Sequence, residues 1–110
     1  MKVLLVALGV AVVVGALPAA AATPVLGVVG PGFTITLAGK PKRAGVYKLT
    51  VQDKSNIHNF RLVGPGVNVA TSVAALGTKT FIVKLKAGKV YRFLCDPHRT
   101  TMKGSFRVPA

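Results

Sequence analysis

In FIVKLKAGKVYRFLC, residues 81–95, apolar and polar side chains alternate on both sides of an Ala-Gly-Lys break. Phe81, Val83 and Leu85 share one parity, with Lys84 and Lys86 on the other. Beyond the break, Tyr91, Phe93 and Cys95 share a parity that excludes Arg92. A period of two, rich in β-branched and aromatic residues, marks strands with one buried and one wet face. The pattern recurs outward from this stretch. GSFRV (104–108) sets Phe106 and Val108 together, VYKLTVQ (46–52) sets Tyr47, Leu49 and Val51, and FTITL (33–37) sets Phe33, Ile35 and Leu37. Gly- and Pro-bearing turns fall at 38–45, 64–66, 76–78 and 87–89. Residues 66–77, GVNVATSVAALG, carry no decided pattern. No stretch after residue 22 has a helical period and there is no internal repeat, so the expectation is all-β: antiparallel sheets in a sandwich or barrel.

The 110 residues suffice for one domain. The first 22 are predicted to stand outside it. Lys2 precedes an apolar run from Val3 to Leu17, followed by Pro18 and the alanines up to Ala22, the form of a secretory signal peptide, read as a helix, with an Ala-x-Ala exit. This predicts a signal segment at 1–22, a domain at 23–110, and export to a periplasmic or extracellular location. The alternative is an uncleaved anchor, since Val3 to Ala22 is long enough to span a bilayer.

Export makes the single cysteine unusual, because cysteines outside the cytoplasm generally pair. Cys95 is open to three readings: an inert buried thiol, half of an intermolecular disulfide, or a metal ligand. Its parity points the sulfur inward. In NIHNFRL (56–62), His58 shares parity with Phe60 and Leu62, a polar member of an apolar face. His98 and Met102 follow Cys95 in a short loop opened by Asp96-Pro97. Each residue alone has an ordinary explanation: a hydrogen-bonded histidine at a strand end, a core thiol, a gap-filling methionine. Together, two imidazoles, a thiolate and a thioether form the donor set of a blue-copper centre. Zinc also uses Cys-x2-His but has no need of a methionine. With Asp53 and Asp96 as the sole acids, the chain offers little acid–base machinery, and an enzyme is not expected.

The segments DKSNIHNFRLVGPG (53–66) and YRFLCDPHRTTMKGSFRV (91–108) resemble the plastocyanin-like branch of the cupredoxins, and the resemblance runs from about Phe33 to Val108. It implies a Greek-key β-sandwich with one type 1 copper that passes single electrons. By the same resemblance, His58, Cys95 and His98 are the equatorial ligands and Met102 the axial one. Asn59 ties the two ligand loops together, with Asp96 and Pro97 supporting the site. His98 would offer the exposed edge for the electron, with Pro97 and the Gly64-Pro65-Gly66 turn as apolar neighbours and Arg99 at the rim. Three residues separate His98 from Met102, against the usual four in plastocyanins and two in amicyanins.

Beyond Lys2, fourteen Lys and Arg face two Asp, a formal charge of +12 on residues 23–110. Such a surplus attracts an acidic partner: a redox protein, an anionic membrane surface or an envelope polymer. Nucleic acid is not expected, since the exposed parity lacks stacking aromatics. A monomeric electron carrier is the leading expectation. The alternatives are a copper carrier or scavenger without redox turnover, and a metal-free module that binds acidic partners.

Overall fold

The computed structural model describes residues 22–110; all but Ala22 of the predicted signal helix lies outside them. Eight strands form two four-stranded sheets. They are β1 (Thr23–Val29), β2 (Ile35–Ala38), β3 (Gly45–Asp53), β4 (Arg61–Gly64), β5 (Val67–Ala70), β6 (Gly77–Leu85), β7 (Val90–Leu94) and β8 (Lys103–Arg107). One sheet has the order β2-β1-β3-β6 and the other β5-β4-β7-β8. The pairings are antiparallel except β1 with β3, which run parallel from Thr23↔Tyr47 to Val29↔Asp53. The chain changes sheet after β3, β5 and β6, the Greek-key connectivity of the expected sandwich.

The alternation at 81–95 supplies the reason for the last crossing. Val83 and Leu85 face the core from one sheet, Tyr91 and Phe93 from the other, and Ala-Gly-Lys carries the chain between them. Each such side chain, fully buried, contributes about 1.5–3 kcal/mol. Two aromatic stacks fill the centre. Phe60 lies parallel to Phe93 with centroids 5.9 Å apart, and Tyr91 stacks on Phe106 at 5.7 Å. Phe93 lies flat over Gly104, where a Cβ would overlap the ring. Because the ring is wedged against Phe60, Gly104→Ala should destabilise the fold by about 1–3 kcal/mol, the usual cost of overpacking. The denaturation midpoint should fall with no change in slope.

Two expectations change here. Phe33 does not join the core face of β2: the strand begins at Ile35, and Phe33 is 64% exposed in the preceding loop. The undecided stretch resolves into β5, a turn, and the first residue of β6. A strand at 23–29, unmarked by the turn signals, enters beside β3. Its Gly27 leaves room for Phe60, whose ring carbons would lie 2.7 Å from a Cβ there.

Strand directions sort the connections into two ends. Residues 30–34, 54–60, 71–76 and 95–102 gather where β1 and β3 finish. Residues 39–44, 65–66 and 86–89 gather at the other end.

Candidate metal centre

At the first of these ends, two connections bring three donor atoms together. His58 Nδ1 lies 3.2 Å from His98 Nδ1, 3.8 Å from Cys95 Sγ, and the last two atoms are 3.6 Å apart. A point in the plane of this triangle is about 2.1 Å from all three atoms, a metal–imidazole bond length and close to the metal–thiolate value. Three donors converging on one point at bonding distance fit a trigonal metal, and the soft sulfur with two imidazoles fits copper. His58, Cys95 and His98 form a group able to hold a metal ion.

Local chain geometry sets these positions. Cys95 directly follows β7, and the 3₁₀ turn Asp96–His98 comes next, with Pro97 in its first turn. Pro97 has no N–H to leave unpaired and a φ suited to the turn. Its ring is exposed beside the half-buried His98. The Cys95 carbonyl accepts from His98 N–H at 3.1 Å, and the His98 carbonyl accepts from Met102 N–H at 2.8 Å. The Met102 carbonyl in turn accepts from Cys95 N–H at 3.0 Å. The loop closes on itself and buries Met102 to 1% exposure beside the fully buried Cys95.

Asn59 joins this loop to the one carrying His58. Its backbone N–H donates to Cys95 Sγ at 3.4 Å. Its amide donates to Asp96 Oδ2 at 2.8 Å and to the Thr71 carbonyl at 3.1 Å, while its Oδ1 accepts from Asp96 N–H at 2.7 Å. Arg61 then grips Asp96 through Nε and Nη2 at 2.8 and 2.9 Å. The Arg61 hydrogen bonds hold the Asp96 carboxyl below its ordinary value of 3.8, so this pair stabilises the fold above that pH and loses its effect as pH falls below it. Asp53, at the end of β3, is pushed the other way, chiefly by burial.

All four residues expected to bear the metal thus lie in the two connections that meet at this end, and Asn59 and Asp96 bridge them. The Gly64-Pro65-Gly66 turn does not join them. It connects β4 to β5 at the opposite end, where the Pro65 carbonyl accepts from the Tyr91 hydroxyl. Four large hydrophobic side chains stand exposed at the metal end instead: Phe33, Ile57, Val73 and Leu76. The Phe33 ring meets both imidazoles edge-on, with centroids 4.9 Å from His58 and 5.0 Å from His98. Sequence reasoning also missed Arg61 and Thr71. Arg61 reads as one base among many, its one distinguishing signal being that acids are too few to pair with the rest. Thr71, whose Oγ1 accepts from Phe60 N–H at 2.9 Å, sits in the stretch without a pattern.

A sequence model of the copper binding proteins of the plastocyanin/azurin family matches residues 34–109. No curated protein and no solved structure matches the chain.

Proposed function

Given that the chain belongs to the plastocyanin/azurin family of copper-binding proteins, we propose that it is an exported carrier of single electrons. One type 1 copper would be held by His58 Nδ1, Cys95 Sγ, His98 Nδ1 and the Met102 thioether. The observation that carries this reading is the triangle of donors with sides of 3.2, 3.6 and 3.8 Å. A copper ion in such a set exchanges one electron between Cu(I) and Cu(II), with the soft sulfurs favouring the reduced form.

The chain's own residues serve that exchange in three ways. The ligands are fixed in advance: His58 and Cys95 are fully buried, and Asn59, Asp96 and Arg61 restrain their loops, so little nuclear rearrangement accompanies the electron. Water is excluded by the core below and by Phe33 above. The half-buried His98 ring is the route out, beside the exposed apolar Phe33 and Pro97, on which a partner can approach closely. No step requires a general acid or base, in keeping with a carrier rather than an enzyme.

Titration with Cu(II) tests the reading. One equivalent should produce an intense visible thiolate-to-copper band and a reversible one-electron wave. Absence of colour with Cys95 still open to thiol reagents would overturn it. Colour without a reversible wave would indicate a copper carrier instead. Export is tested by recovering the protein outside the cytoplasm and reading its N-terminus: Thr23 where the segment is removed, with the run Val3–Ala22 retained where it serves as an anchor.

The formal +12 on residues 23–110 favours an acidic redox partner, met at the His98 rim with Arg99 and Lys103 nearby. Reversing both charges should slow electron exchange several-fold at low ionic strength and matter little at high salt, where the screening length falls from about 10 Å to about 3 Å. The bimolecular rate measured against ionic strength decides it. A flat rate for the unaltered protein would remove the steering role.

A further inference from the structure

The end opposite the metal centre has its own composition. Lys40, Lys42 and Arg43 project from the connection between β2 and β3, and Lys86 and Lys89 from that between β6 and β7; all five are exposed. No acidic side chain answers them, since Asp53 closes β3 at the metal end and Asp96 lies in the metal loop. The first connection is held in shape. Pro41 is buried, and the Tyr47 hydroxyl donates to the Arg43 carbonyl at 2.7 Å. Lys40, Lys42 and Arg43 line an open cleft of about 450 Å³.

Thr23 and Pro24 line the same cleft. In the sequence they follow directly on the apolar run Val3–Ala22, which is of membrane-spanning length. Retained as the anchor, that run would bring the chain into the fold from the bilayer at the point where its basic residues cluster. We propose that this end is a docking face for the anionic headgroups of phospholipids. Charge complementarity and the attachment point select the same occupant, and clustered Lys and Arg next to a membrane segment bind anionic lipid. Thr23 and Val29 are the two ends of β1, about 20 Å apart at about 3.3 Å per residue, so a bilayer on this face leaves the metal end directed away from it. The proposal does not rest on copper binding and is tested without copper.

The experiment is hydrogen exchange on the full chain in vesicles of phosphatidylcholine, with and without phosphatidylglycerol. Any apolar insertion is common to both, so the difference reports headgroup contact. Amides of residues 39–44 should exchange on the order of tenfold more slowly in the anionic vesicles, and high salt should remove the effect. The triple variant Lys40→Glu, Lys42→Glu, Arg43→Glu should lose the protection. A charge-matched variant at the metal end, Lys54→Glu, Lys79→Glu, Lys103→Glu, should keep it. Equal exchange in both vesicles, or equal loss in the two variants, would overturn the proposal, the second outcome leaving net charge as the sole cause of binding.

Discussion

Cys95→Ser protein loaded with Cu(II) stays colourless. The visible band needs a thiolate–copper bond, and a serine hydroxyl is neither ionised at neutral pH nor soft. The change is nearly isosteric, and the new oxygen still offers an acceptor to the Asn59 N–H that now donates to the sulfur. The fold should therefore survive with a loss of about 1 kcal/mol, the ordinary scale of a weakened hydrogen bond. Copper affinity should fall by orders of magnitude, because two imidazoles remain without the charged ligand. Met102→Leu provides the contrast. It should keep the band, since the thiolate is untouched, and raise the potential, since a weak donor to Cu(II) is lost. Absorption after copper loading, denaturation of the copper-free form and voltammetry check the three statements. A coloured Cys95→Ser protein would remove the sulfur from the metal.

The second large effect is structural. Asn59→Ala removes three hydrogen bonds and leaves the Thr71 carbonyl and the Asp96 N–H without the partners they now have. An unpaired buried polar group costs about 1–3 kcal/mol, so the copper-free protein should lose about 3 kcal/mol, seen as a lower denaturation midpoint. The backbone N–H to the sulfur remains, so copper still binds with colour. The two ligand loops are no longer tied side chain to side chain, so copper should leave faster to a chelator. Unchanged stability in the copper-free variant would mean that Arg61 alone holds Asp96 in place.

The sandwich was legible wherever one strand face is buried. Tyr47, Leu49 and Val51, or Tyr91 and Phe93, betray their strands because burial imposes the alternation. The parity of Cys95 and the spacing of His98 and Met102 exposed the site for a related reason: three of the candidate ligands are local in sequence. Phe33 defeated the same logic. It continues the alternation of FTITL, yet no strand neighbour pairs it, and its ring is claimed by the two imidazoles. The Arg61–Asp96 clamp and the partnership of Thr71 with Asn59 were out of reach because they are contacts between distant segments and leave no periodic trace. The Gly64-Pro65-Gly66 turn was legible as a turn but not as to which end of the sandwich it occupies. That depends on the direction of β4, which register alone supplies.

The self-closed loop from Cys95 to Met102 also bears on the unfolded chain. It holds three of the four proposed donors within eight consecutive residues, so most of a copper site exists before any sheet has formed. Metal that also binds the unfolded state stabilises the fold only by the difference between the two affinities. The native state adds His58, brought in by β3 and β4, together with exclusion of water. Copper should therefore raise the melting temperature by less than its affinity for the finished protein suggests. It can also be captured by a chain still folding, with His58 closing the site last.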